Sequence, residues 1–206
     1  SGSVFLDYDQ KLVNWYVRND ENVKYLKEFG KNPTYLRSVI FNKKKINVSS
    51  SIKEITETSD IIILAIPSPF LENELMKIKL QLKNKIIFSA LKGVVPKTHL
   101  IVSEHLNKYY KISLDKIGII TGPCHAEEVA LDKLSYLTVA CKNKSIGEKM
   151  KTALESNYIK VKFSKDTMGV EYAAMLKNVY AIIAGVAHGL GYGDNFQSVL
   201  ISNSVR

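Results

Sequence analysis

Continuous apolar runs alternate with amphipathic stretches along most of the chain. The clearest run covers residues 60–66, where β-branched residues follow one another, as in a strand that is buried on both faces of a parallel sheet. Similar but shorter runs flank it on both sides. The other strands are predicted at residues 11–17, 45–48, 85–89, 116–120, 136–140 and 158–163.

Helices are predicted between these strands. Asn19 or Asp20 is expected to cap the first of them, and Pro67 to end the apolar strand before the third. The first helix is expected to open within residues 18–21 and to end near residues 29–30, other long helices are expected at 70–82, 97–110 and 146–156, and a short one opens at a capping box at 49–54. Strands and helices that alternate with short connections predict a doubly wound α/β domain with a parallel-rich sheet.

The pattern changes near Asp166, after which only helix is predicted. Residues 172–187 are apolar on every side except at Lys177 and Asn178, as in a buried helix. The polar pair makes this segment a poor membrane span. We therefore expect residues 1–165 to form the α/β domain and residues 166–206 to be the start of an all-α domain.

Lys177 is thus expected in the middle of a core helix. Burial of an ammonium group costs free energy and lowers its pKa, which would make this amine a usable general base. The alternative is a lysine whose charged end reaches solvent between its neighbours. The adjacent Asn178 and the glycine-rich loop at 189–195 favour the functional interpretation, because loops and perturbed lysines mark sites.

Composition and charge narrow the function classes. The 206 residues are 46% hydrophobic and 24% charged, as in an ordinary globular protein, and the net charge is +9. The simplest interpretation of this positive charge is a lysine-rich surface in contact with solvent. The more specific interpretation is a positive field that attracts anionic small molecules. Nucleic-acid binding is not expected, because no basic face interleaved with aromatic residues is present.

The cysteines and the terminal segments indicate no additional function. Cys124 and Cys141 have neither metal-ligand spacing nor the pattern of a disulfide framework, so no metal is expected. Without a signal peptide or a good membrane span, the protein is expected in the cytoplasm and not inserted in a membrane.

Unusual residues follow the predicted strands at their carboxyl ends, where open α/β sheets bind ligands. Lys92 can meet an anionic or carbonyl group there, and the backbone N–H groups after Gly122 could bind a phosphate. Arg18 follows the strand at which a nucleotide fold meets the adenosine ribose, where an arginine suits a 2′-phosphate. Each residue alone has a structural interpretation, and it is their convergence with Lys177 that predicts a site.

Five segments carry a family resemblance. They are Ile-Pro-Ser at 66–68, Leu-Lys-Gly at 91–93, Thr-Gly-Pro-Cys-His-Ala-Glu-Glu-Val-Ala at 121–130, Leu-Lys-Asn-Val-Tyr-Ala-Ile-Ile-Ala-Gly at 176–185 and Gly-Leu-Gly-Tyr-Gly-Asp-Asn at 189–195. In this order they closely resemble NAD(P)-dependent glycerol-3-phosphate dehydrogenases of the bacterial type. The resemblance implies a Rossmann-like cofactor domain with NAD or NADP. It also implies reversible hydride transfer between NAD(P)H and dihydroxyacetone phosphate, which gives sn-glycerol 3-phosphate for phospholipid synthesis.

The resemblance also implies roles for individual residues. Lys177 is similar to the catalytic proton donor and acceptor, Asn178 to the residue that supports it, and Lys92 to a lysine that contacts both cofactor and substrate. The implied cofactor contacts are Arg18, Tyr35, Pro67, Lys92 and Ala126. The implied contacts of the small phosphate substrate are Lys92, Gly122, Cys124 and Lys177. A homodimer is a further expectation.

The chain departs from the family pattern in three ways. Cys124 and His125 stand where Ser or Thr and then Phe are usual, and only Ser1-Gly2-Ser3 stands near the expected Gly-x-Gly-x-x-Gly turn. The family's later Asp and Arg-Asn residues are absent, so we expect a fragment that is inactive alone. Two alternatives stay open: another two-domain dehydrogenase, of the hydroxyacid or 6-phosphogluconate type, and a non-catalytic nucleotide-binding fragment.

Overall fold

Strands and helices mostly alternate up to Ser164, and among the described residues only helices follow. The computed structural model describes residues 12–204. The strands are β1 (Val13–Tyr16), β2 (Ile46–Ser49), β3 (Ile61–Leu64), β4 (Ile86–Ser89), β5 (Val94–Val95), β6 (Leu100–Ile101), β7 (Ile117–Thr121), β8 (Ser135–Cys141) and β9 (Ile159–Ser164). The helices are α1 (Asp20–Phe29), α2 (Ile52–Glu57), α3 (Ser68–Lys77), α4 (Val102–Tyr110), α5 (Ala126–Val129), α6 (Lys144–Leu154), α7 (Thr167–Gly189) and α8 (Asp194–Ser204).

The strands form a parallel-rich arrangement, as predicted. β1 and β2 pair in parallel, and a five-stranded sheet has the order β3-β4-β7-β8-β9. Every pairing in the larger sheet is parallel except the antiparallel pairing of β7 with β8. β5 and β6 form a small antiparallel hairpin outside both sheets. The doubly wound α/β class is confirmed.

A gap separates β1 from β3. Residues of both strands line a cavity of about 1070 Å³, together with residues of α6. Within residues 12–204 no strand lies between them. Residues 1–11, near which the family's glycine-rich turn is expected, lie outside the described residues. The gap also corrects the expectation that β3 is buried on both faces, since Ile61 is 38% exposed.

Local sequence explains where the first helices begin and end. The Asn19 side chain caps α1 by accepting hydrogen bonds from the backbone N–H groups of Glu21 (2.8 Å) and Asn22 (3.1 Å). Gly30, at a φ of 65°, ends the helix in the left-handed region that favours glycine. The predicted cap and end are therefore confirmed.

The predicted helix at 97–110 is too long. Residues 94–101 instead form the β5–β6 hairpin, and α4 starts only at Val102. His99, between the two strands, has a φ of 54°, which no right-handed helix contains. The predicted helix at 70–82 is also revised: α3 starts at Ser68, directly after Pro67, and ends at Lys77.

The long helix α7 is mostly exposed, which contradicts the expected buried helix. Its buried residues are Thr167, Glu171, Ala174 and Ala187. The helix contacts β7, β8 and α8, and these partners cover too little of its apolar surface. By length and composition alone α7 could also cross a membrane, a property that core helices of soluble proteins share, and 17% of the tested window is buried.

Candidate functional site

A cleft of about 410 Å³ opens at the carboxyl ends of β3 and β4. Residues 65–69 line one side and residues 90–92 the other. The two strands run in parallel with Leu64 opposite Ser89, so their following loops leave the sheet side by side. Pro67 and Lys92, both predicted cofactor contacts, therefore lie in one crevice, at the edge where such sheets bind ligands.

Lys177 lies near Lys92, which lines this cleft, and acts on its charge. Burial lowers the pKa of Lys92, and its interaction with the neighbouring Lys177 lowers it further. The nearby Cys124 acts in the opposite direction. A lysine with a lowered pKa accepts and returns a proton more readily than an ordinary surface lysine. The two lysines therefore lie near each other, and their roles stay predictions.

Lys177 itself is exposed, which corrects the expectation that it lies buried in a core helix. The physical reason is the sparse packing around α7, which leaves the middle of that helix in contact with solvent. Burial lowers the pKa of Lys92. The Lys92 residue nevertheless keeps much exposed surface. The lysine with the lowered pKa is thus the one on the loop after β4.

The loop after β7 brings a cysteine to the same place. Gly122 has a φ of 146°, and a Cβ added there would overlap the carbonyl oxygen of Tyr136 and lie 2.9 Å from the Cα of Leu137. The loop thus lies directly against the backbone of β8, which only glycine permits. Burial raises the pKa of the Cys124 thiol, while a hydrogen bond with Ser135 and the charge of Lys92 oppose the rise.

Arg18 and Tyr35, the predicted contacts of the cofactor's adenosine side, lie in different places relative to the cleft. The guanidinium carbon of Arg18 lies 5.7 Å from the centre of the Phe70 ring, in a cation–π arrangement. Phe70 directly follows the segment that lines the cleft, so Arg18 reaches that side of the site. Tyr35 is 72% exposed in the loop between α1 and β2. Its role as a cofactor contact stays a prediction.

Two further predicted residues flank the site. Asn178 is exposed beside Lys177, and among residues 12–204 no hydrogen bond joins their side chains. Ala126 is half-buried at the first position of α5, next to the Gly122–Cys124 loop. Their roles also stay predictions.

Sequence reasoning missed Glu171, a buried carboxylate on α7. Glu171 is 3% exposed, and it accepts hydrogen bonds from the first residues of α4. The signal in the sequence was an acidic side chain near the start of an otherwise apolar helix. That signal does not name the partner, which is 69 residues away.

Comparison with known proteins shows to which family the chain belongs. A family model described as the N-terminus of NAD-dependent glycerol-3-phosphate dehydrogenase matches residues 3–147. The chain belongs to the NAD-dependent glycerol-3-phosphate dehydrogenase family. A model of the C-terminus of the same family matches residues 166–206. The family predicted from the five segments is therefore confirmed.

Curated members of the glycerol-3-phosphate dehydrogenase family are similar to this chain over most of its length. Glycerol-3-phosphate dehydrogenase (NAD(P)+) of Exiguobacterium sp. is 31% identical over 192 residues, which are 92% of this chain and 56% of that protein. The corresponding protein of Aster yellows witches'-broom phytoplasma is 36% identical over 199 residues, 93% of this chain and 57% of that protein. The chain thus spans a little more than half the length of these relatives.

Solved structures of glycerol-3-phosphate dehydrogenases share the fold. The Plasmodium falciparum structure has a TM-score of 0.86 at 22% identity, and the match covers 99% of this chain and 58% of that one. The Coxiella burnetii structure has a TM-score of 0.81 at 22% identity, with 98% and 61% covered. These similarities extend through the α/β region into the C-terminal helices.

Proposed function

We propose that the full-length protein that carries this chain is an NAD(P)-dependent glycerol-3-phosphate dehydrogenase. It would interconvert dihydroxyacetone phosphate and sn-glycerol 3-phosphate for phospholipid synthesis. The observation that carries the proposal is the neighbouring pair of Lys92 and Lys177 at the cleft that lies at the carboxyl ends of β3 and β4. The names of the curated relatives, glycerol-3-phosphate dehydrogenase (NAD(P)+), support it.

The described residues fit an anionic dinucleotide. Lys92 lines the cleft, and Arg18 packs on Phe70 beside the opposite loop, so cationic groups stand on both sides. We assign Arg18, Tyr35, Pro67, Lys92 and Ala126 as cofactor contacts. NAD or NADP, when bound, would supply the hydride for reduction and accept it in the reverse direction. The chain's own residues would orient the cofactor and the substrate and move the proton.

Lys177 and Lys92 are assigned different roles in the proton transfer. When the ketone is reduced, a proton must reach the new alkoxide oxygen, and a positioned ammonium can supply it. We assign this step to Lys177. Lys92, whose pKa is lowered, would stand beside that ammonium at the cleft. Asn178 is assigned to support Lys177, and Gly122 and Cys124 to contact the substrate, with no metal involved.

The helices α7 and α8 would belong to a second, substrate-binding domain that starts at residue 166, after a cofactor domain of residues 1–165. Their exposed apolar side chains are the kind of surface on which further helices pack. The polar pair Lys177–Asn178 in the middle of α7 argues against membrane insertion. We propose a cytoplasmic homodimer that does not bind nucleic acid.

The test is cofactor oxidation by the full-length protein. NADH and NADPH oxidation with dihydroxyacetone phosphate, and the reverse reaction with sn-glycerol 3-phosphate, should both be measurable. Lys177→Met should lower kcat by at least about 10²-fold, the low end of what general acid–base catalysis contributes, while cofactor affinity measured by fluorescence stays nearly intact. Lys177→Arg should fail as well, because a guanidinium group stays protonated.

A matched control is Lys165→Met, which removes an exposed lysine just before α7 and should leave kcat unchanged. Near-normal turnover by Lys177→Met would refute its assignment and favour Lys92 as the proton donor. Cofactor binding without turnover by the wild-type protein would favour the non-catalytic alternative.

A further inference from the structure

The carboxylate of Glu171 closes the amino end of a helix that belongs to the α/β domain. Its Oε1 accepts from the backbone N–H of Val102 at 2.8 Å, and both of its oxygens lie 3.3 Å from the backbone nitrogen of Ser103. The Ser103 hydroxyl also donates to Oε2. Val102 and Ser103 are the first two residues of α4, and Ile101 before them provides no side-chain cap. Glu171 therefore supplies the cap that the helix lacks.

This contact is buried and fully paired. Glu171, Val102 and Ser103 are 3%, 0% and 0% exposed. Burial raises the pKa of Glu171, while the hydrogen bonds from Ser103 and Val102 act in the opposite direction. A carboxylate in such surroundings is retained only where its hydrogen bonds are satisfied. The pairing of α7 with α4 is thus specific in position, unlike the loosely covered apolar surface farther along α7.

A short path joins this contact to each of the two lysines. Val102 directly follows Ile101, which pairs with Val94 in the β5–β6 hairpin. Val94 is two residues after Lys92, so the hairpin joins the cap to the loop that holds that amine. On the other side, Lys177 is six residues after Glu171 in the same continuous helix, about 9 Å along its axis.

We propose that Glu171 is a positioning residue, which sets the separation of Lys92 and Lys177 by fixing α7 on the amino end of α4. The inference rests on the proposed function, because it concerns the proton-transfer pair of that reaction. Glu171 touches neither substrate nor cofactor in this scheme. Its effect reaches the reaction through the two lysines alone.

The experiment compares four variants of the full-length protein. Glu171→Ala removes the cap, Glu171→Gln keeps one oxygen that can accept from the Val102 N–H, and Ser103→Ala removes only the hydroxyl donor. Glu104→Ala is the matched control, since it removes a partly exposed carboxylate from the same turn of α4. Three quantities are measured: kcat with dihydroxyacetone phosphate, the Kd for NADH, and the yield of a Lys92–Lys177 cross-link formed by a short amine-reactive reagent.

Glu171→Ala should lower kcat about 10- to 100-fold, since a displacement of about 1 Å in a catalytic group has effects of that order. It should also lower the cross-link yield and leave the Kd for NADH unchanged. Glu171→Gln should recover much of both losses, Ser103→Ala should show a smaller loss of each, and Glu104→Ala should behave as wild type.

Unchanged kcat and cross-link yield in Glu171→Ala would overturn the proposal. So would a uniform loss of activity and NADH binding that Glu171→Gln does not rescue, because that would show a purely structural role. A wild-type protein without activity on dihydroxyacetone phosphate would defeat the proposed function instead. The cross-link yields would still decide whether Glu171 positions the lysines.

Discussion

Replacement of Gly122 by alanine tests the geometry of the loop that carries Cys124. The added Cβ would overlap the Tyr136 carbonyl oxygen and lie 2.9 Å from the Leu137 Cα, and neither backbone atom can move without displacing β8. The φ of 146° is also one that side chains other than glycine rarely adopt. Backbone strain of about 1–3 kcal/mol and overpacking of about 1–3 kcal/mol together predict a loss of about 2–6 kcal/mol.

Two other glycines separate these contributions. Gly93 has a φ of 120°, but a Cβ there would meet nothing within 4 Å, so Gly93→Ala should cost only the backbone strain of about 1–3 kcal/mol. A Cβ at Gly185, inside α7, would also meet nothing within 4 Å. Gly185→Ala should therefore stabilise the protein by about 0.5–1 kcal/mol, the difference in helix preference.

Urea denaturation of the three variants of the 206-residue chain gives the free energies of unfolding. Gly122→Ala should lose the most, Gly93→Ala should lose less, and Gly185→Ala should gain. A loss of several kcal/mol is a large part of the 5–15 kcal/mol that holds a typical protein folded, so it is easily measured. Equal losses at Gly122 and Gly93 would refute the close approach of the loop to β8. A Gly122→Ala protein as stable as Gly185→Ala would refute the left-handed backbone as well.

Three further predictions concern ionisation and packing. Lys177→Met should raise the pKa of Lys92, because it removes the neighbouring positive charge, and the pH dependence of amine labelling at Lys92 would show it; an unchanged profile would mean that the two lysines do not interact. Burial lowers the pKa of His105 despite the charge of Glu72, so the stability that the neutral ring contributes is present above its unfolded pKa of about 6.5 and is lost as the pH falls below it. The stability difference between wild type and His105→Gln, from urea denaturation, should therefore shrink on acidification, and a constant difference would contradict this. Phe88 is 0% exposed, so Phe88→Ala should cost about 3–5 kcal/mol of stability. A Cβ at Gly118 would overlap the Phe88 ring, so Gly118→Ala should destabilise the Phe88→Ala protein less than it destabilises the wild type. Additive losses in the double mutant would count against this packing.

The sequence predicted the elements that depend on local signals. Asn19 and Gly30 mark the two ends of α1 through side-chain capping and a left-handed φ, both of which are properties of single residues. Lys92 was placed correctly because the carboxyl ends of parallel strands meet at one edge of a sheet. These predictions needed no knowledge of distant contacts.

The errors arise where distant contacts decide the structure. β5 and β6 have two residues each, too few for a period to be recognised, and only their pairing makes them strands. The apolar pattern of α7 shows which side chains favour burial, but it does not show which elements are present to cover them, and Lys177 was misplaced for that reason. The partner of Glu171 was hidden for a similar reason, since nothing near Glu171 in the sequence indicates an uncapped helix elsewhere.

The gap between β1 and β3 affects how this polypeptide would behave in the test tube. Both strands border the cavity, and no strand within residues 12–204 pairs with their facing edges. Free strand edges recruit strands from other molecules, so concentrated samples in which this gap stays open should aggregate through it. A strand supplied as a separate peptide would gain hydrogen bonds on both sides at once, and it would compete with that aggregation. The same opening therefore makes this region suited to a split-protein design, in which recovery of solubility reports the arrival of an added strand.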